Sequence, residues 1–151
     1  MIDQEIQSFW LARKITLPIY NYSGQIVFFK SLKLVQIEQN NCTLIVEGML
    51  EKFKGYSCNQ ALDGYRRQLD ENNLLVGCFG AVENFYVTKG MARRSFGLLG
   101  CMTEFGKTPV TNAGLPIKAT FAECNLPEKL CSVLSQRQFR FDSMKACQTK
   151  N

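Results

Sequence analysis

Hydrophobic positions along the chain switch between helical and strand periods, and the switches predict its elements. Over residues 3–14, Ile6, Phe9 and Trp10 recur at helix-like spacing. That segment fits either a short helix or an irregular arm packing its aromatics. From Ile15 the texture turns to strand. Residues 15–17 lead into the turn cluster Asn21-Tyr22-Ser23-Gly24, and two runs rich in Val, Ile, Leu and Phe follow at 25–38 and 42–50. Asn40-Asn41 between them suits a tight hairpin, because Asn tolerates positive φ.

Ser57-Cys58-Asn59-Gln60 then reads as a capping box, and Cys58, Ala61, Leu62, Tyr65 and Leu69 behind it share one helical face. Asp63 and Arg67 make a favourable i,i+4 pair, and the helix should end near Asn72-Asn73. Gly64 costs about 1 kcal/mol relative to Ala inside a helix, so a close packing contact is expected there. Residues 74–79, 83–88, 96–105 and 117–123 read as further strands, separated by turns at Gly80-Ala81 and Lys89-Gly90-Met91 and a loop from Pro109 to Pro116. Asn125-Leu126-Pro127-Glu128 forms a second capping box opening a helix to about Gln136, with Leu126, Leu130, Val133 and Leu134 on one side. Runs of strands with separated helices predict an α+β fold: a single domain, mostly antiparallel β-sheet with two or three helices packed on it.

Composition narrows the chemistry. At 151 residues, 46% hydrophobic and 21% charged, the chain can bury a core of ordinary size. It contains no His, which removes imidazole triads, His-rich zinc sites and histidine-pair nucleases. Gly97-Leu98-Leu99-Gly100 lacks the Lys-Ser/Thr of a phosphate-binding loop, and the carboxylates are scattered rather than paired. Seven Cys occur without one Cys-x-x-Cys pair, so neither a structural metal nor a cofactor is expected. The thiols read as reduced, partly buried side chains of a cytoplasmic protein. Cys58 follows the cap Ser57, a position that favours a thiolate, but it also lies on the helix's apolar face, where it would simply pack. The acids Asp3 and Glu5 stand where a secretory signal needs basic residues, and no run approaches the ~18 apolar residues of a spanning helix. No enzymatic activity and no membrane association are expected.

Charge is uneven. Lys plus Arg number 18 against 13 Asp plus Glu, a net +5. Much of the excess falls in residues 89–107, with Lys89, Arg93, Arg94 and Lys107 against Glu104, and in residues 137–150, with Arg137, Arg140, Lys145 and Lys150 against Asp142. Phe139 and Phe141 interleave with Arg137 and Arg140, a pattern that would serve phosphate contact and base stacking. The same pattern also fits a helix end whose Phe side chains are core.

The central block carries a resemblance. Ser57-Cys58, the helix with Ala61, Leu62, Arg66 and Leu69, then Gly80-Ala81, Asn84, Tyr86, Gly90-Met91-Ala92-Arg93 and Gly106-Lys107 resemble a small bacterial family of orphan proteins. Some members look like immunity partners in polymorphic-toxin and contact-dependent growth inhibition loci. The likeness covers residues 57–107, about a third of the chain. Lys89 replaces the family's turn Ser, and Arg94-Ser95-Phe96-Gly97 stands in place of an acidic, Gly-rich continuation. The resemblance implies an immunity protein that binds a cognate toxin domain and occludes it. Its expected partner-binding residues are Tyr86, Lys89, Met91, Arg93 and Arg94, with Arg66 and Arg67 of the preceding helix, since Tyr and Arg are favoured interface anchors. At +5 such a protein would cover an acidic surface. The alternative is a nucleic-acid-binding accessory protein using the two basic stretches.

Overall fold

In a computed structural model, which describes residues 3–108 and 114–148, eight strands form two antiparallel sheets with four α-helices around them, an α+β architecture. Asp3 caps α1 (Gln4–Trp10), its carboxylate accepting from the Glu5 and Ile6 amides, so the first segment is a helix. Trp10 leans from it onto Phe121, ring centroids 6.2 Å apart.

The larger sheet is built from β1 (Ile15–Asn21), β2 (Ile26–Glu38), β3 (Asn41–Val46), β4 (Lys52–Gly55) and β5 (Leu74–Val76), in the order β4-β3-β2-β1-β5. β2 and β3 pair from Leu32↔Val46 to Glu38↔Asn41, so the hairpin turn is Gln39-Asn40, with Asn40 at φ 62°. Two irregularities interrupt β2, and each leaves one residue of the strand unpaired: Val27 between Phe28 and Ile26, and Val35 between Leu34 and Gln36. A bulge pushes its extra residue out of the pleat, and Val27 and Val35 are both exposed. The second bulge also shifts the inward set from Leu32 and Leu34 to Ile37.

α2 (Cys58–Glu71) lays Cys58, Ala61, Leu62, Tyr65 and Leu69 on this sheet, the face the periodicity predicts. Its capping box is half-formed. Ser57 gives no cap bond and donates instead to Asn59 Oδ1, while Gln60 Oε1 reaches back to the Tyr56 amide. Gly64 meets Phe53 closely: a Cβ there would stand 3.0 Å from the Phe53 ring. Asp63 pairs with Arg66 at 2.9 Å rather than with Arg67.

The second half is more broken than its apolar runs predict. A 3-10 turn, Phe79–Ala81, follows β5. Then come β6 (Phe85–Tyr86), α3 (Lys89–Ser95), β7 (Leu99–Met102) and β8 (Ile117–Ala119), the three strands forming the sheet β6-β7-β8. Lys89-Gly90-Met91 is thus the first turn of a helix, not a loop, because Thr88 Oγ1 caps it by accepting from the Met91 amide. Neither Gly80 nor Gly90 has a positive φ. Gly80 is required instead for close approach, since a Cβ would stand 2.6 Å from Leu62 Cδ2 and 2.9 Å from Thr120 Cγ2.

The last helix starts later than predicted. Pro127–Lys129 makes only a 3-10 turn, Leu130 returns to extended backbone, and α4 runs Val133–Gln148. Its cap is Ser132, whose Oγ accepts from the Ser135 amide, while Asp70 of α2 takes the Val133 amide at 3.1 Å. Leu134, expected on the buried side, is exposed. One contiguous core joins both sheets through Leu98, Phe121 and Phe85. Among the described residues no helix is long and apolar enough to cross a membrane.

Candidate functional site

Arg66 lies on α2 one turn from Leu62 and Leu69, so its side chain must enter the interior with them. It is only 2% exposed. Its guanidinium donates to Asp63 Oδ1 (2.9 Å), Gly80 O (3.1 Å), Gln136 Oε1 (2.7 Å) and Cys131 O (2.9 Å). Gln136 completes the network by donating to Gly80 O and Val82 O. The expectation that Arg66 meets a partner is therefore corrected: every direction its guanidinium faces is filled by its own chain.

The other expected residues divide. Lys89, Arg93 and Arg94 stand exposed on α3, and Arg67 is exposed on α2 beside Asp70. Arg93 and Arg94 occupy the last turn of α3, where cations also suit the helix dipole. Met91 and Tyr86 are half-buried. Tyr86 meets Arg140 of α4, whose guanidinium lies 5.2 Å from the ring centroid. The two basic stretches themselves meet where Phe105 packs on Phe139 and the Gly106 amide donates to Ser143 Oγ. Lys150 lies outside the described residues.

Helix α4 is inverted in its use of polarity. Gln136, Arg140, Ser143 and Cys147, spaced i, i+4, i+7 and i+11, turn toward the body of the protein. Arg140 donates to Phe85 O at 3.2 Å, and Ser143 Oγ accepts from the Gly106 amide at 2.9 Å. Outward stand Leu134 at 76% and Phe141 at 55% exposed, with Arg137 and Lys145 beside them. Lys145 Nζ sits 4.7 Å from the centre of the Phe141 ring. The interleaved aromatics of the tail therefore part: Phe139 packs on Phe105 (5.6 Å), while Phe141 faces solvent. Sequence reasoning missed Gln136, Ser143 and Asp70. For Gln136 and Ser143 the available signal is a polar stripe at helical spacing, which shows only if the helix continues past Gln136.

Behind α4 lies a cleft of ≈ 360 Å³ whose wall includes Tyr86, Thr88, Phe139, Arg140, Ser143 and Met144. Burial holds the Arg140 guanidinium below its ordinary pKa. Elsewhere reactive groups are quiet. Cys58 is fully buried; its thiol bond to Cys42 and its burial push its pKa far up, so it packs as a neutral thiol. Burial raises Cys78 to about 12 and Cys131 to about 11. Among the described residues no group of three or more Cys, Asp or Glu is gathered to hold a metal ion. No protein-family model and no curated protein matches the chain.

Proposed function

We propose that this is a non-enzymatic, immunity-type protein that binds a cognate bacterial toxin domain and neutralises it by covering its surface. The observation that carries the reading is the outward face of α4, where Leu134 and Phe141 stand in solvent with Arg137 and Lys145 exposed beside them. Apolar side chains held in water on a regular helix are available for burial against a partner, at roughly 1.5–3 kcal/mol for each one fully covered. The flanking cations select a partner surface with an apolar centre and an acidic rim. Arg93 and Arg94 on α3 extend the same charge preference. An interface of about 800 Å² per partner needs more than one helix face, so the partner would reach beyond α4.

Co-expression with the product of the neighbouring toxin-like gene tests the reading. The two proteins should co-purify and growth should be restored. The double substitution Leu134→Asp, Phe141→Asp should abolish both without changing the fold. A toxin that neither co-purifies nor loses its effect would sink the proposal. RNA or DNA binding that is strong at about 50 mM salt and weakens steeply above it would favour the nucleic-acid alternative instead.

A further inference from the structure

The cleft behind α4 is polarised in a way that the toxin-binding reading does not use, because it lies on the inward side of the helix. Its walls are mainly apolar, formed by the rings of Tyr86 and Phe139 and the side chain of Met144. Its cation is Arg140, which among the described residues has one acceptor, Phe85 O, and no salt bridge. Its Nε is buried without a hydrogen-bond partner among the described residues. Among the described residues no carboxylate lines the cleft, and Lys107 at its rim is paired with Glu104 outside it. Two hydroxyls complete the polar set. Ser143 Oγ and Thr88 Oγ1 each accept a backbone amide, from Gly106 and Met91, which leaves the proton of each free to donate. Asp63 of α2, paired with Arg66, acts on the Arg140 guanidinium electrostatically without bonding it. A half-buried guanidinium with neighbouring hydroxyl donors and no bonded acid is an anion site, and the rings beside it supply apolar walls.

We propose that this cleft binds a small amphiphilic carboxylate, its head on Arg140 and Ser143 and its hydrocarbon body against Phe139, Tyr86 and Met144. Volume agrees, since ≈ 360 Å³ falls in the range of small-molecule sites. An internal contrast sharpens the charge argument. A neighbouring hollow of ≈ 450 Å³ shares Thr103 and Phe139 with the cleft but is lined by two acids, Glu83 and Glu128, against one cation, Lys129, a balance less favourable to the same ligand.

Titration of the full chain with octanoate, followed by amide NMR shifts, tests the site, with octanol as the neutral control of equal chain length. Octanoate should shift the Gly106, Thr88 and Ser143 amides saturably and bind at least ten-fold more tightly than octanol. Arg140→Gln should remove most of that preference. Should Arg140→Gln fail to fold, Met144→Glu decides: Met144 is 60% exposed at the rim, so a carboxylate there is tolerated by the fold. It should weaken octanoate at least ten-fold and octanol little. Equal affinity for acid and alcohol, shifts centred away from the cleft, or octanoate binding unchanged by Met144→Glu would each overturn the proposal. Toxin binding, read at Leu134 and Phe141, would be unaffected by that outcome.

Discussion

Arg66 and Gln136 fill space that an apolar pair would ordinarily occupy, and they do so at no unsatisfied cost because three carbonyls and one carboxylate converge on them. Such a network is asymmetric: complete, it is close to neutral, but losing one member strands the rest. Arg66→Met should lower stability by about 3–5 kcal/mol, seen as a reduced urea midpoint. Arg66→Lys should not restore it, since an ammonium has three N–H donors at a single nitrogen for four acceptors. A loss under about 1 kcal/mol would show the network to be dispensable. The cysteines give a second test at this scale. Five of seven are buried, and Cys131 is raised to about 11, so its thiolate is scarce at neutral pH. Iodoacetamide at about pH 7.5 should modify the native protein first at Cys147, and the buried five only after unfolding, as read by peptide mass. Early labelling of Cys58 would contradict its packed, neutral state.

At the scale of the element, the start of α4 depends on a residue of α2. Burial raises the Asp70 carboxyl above its ordinary value, outweighing the opposing pull of the Val133 amide and of Arg66. A carboxyl raised on folding stabilises the fold fully below its unfolded pKa, and that contribution is lost as pH rises through the folded value. Asp70→Asn keeps an acceptor for the Val133 amide but cannot titrate. Lowering the pH from about 7 to about 3 should therefore increase the stability of the wild type relative to this variant in urea titrations. A difference that is constant, or that shrinks in acid, would mean that burial does not raise the Asp70 carboxyl on folding.

For the whole molecule, the two halves differ in how they are held. The five-stranded sheet and α2 are bound by a continuous apolar core, whereas α4 is docked chiefly through Gln136, Arg140 and Ser143, with Val133 its main buried apolar side chain. Polar docking with little apolar burial gives a low free energy of local opening. Amide hydrogen exchange should therefore be faster in α4 than in α2, and a mutant weakened at Arg66 should widen that gap. Equal protection of both helices would show that α4 opens only with the global fold.

Much of the first half was legible from residue order alone. The apolar strand runs over Ile15–Glu38, the Asn40 turn, the apolar face of α2 and the tight spot at Gly64 all follow from local composition, period and backbone sterics, which neighbouring residues in sequence determine. The α+β class follows from the same pattern. The side chains that build the candidate sites were not legible, because their partners are distant carbonyls. Arg66 turns inward because Gly80 and Cys131 await it, and Arg140 because Phe85 does, at separations of 14, 65 and 55 residues. Only tertiary structure could thus turn the polar side of α4 inward and leave Leu134 and Phe141 in water, since a polar side chain is buried only where folding supplies its acceptors.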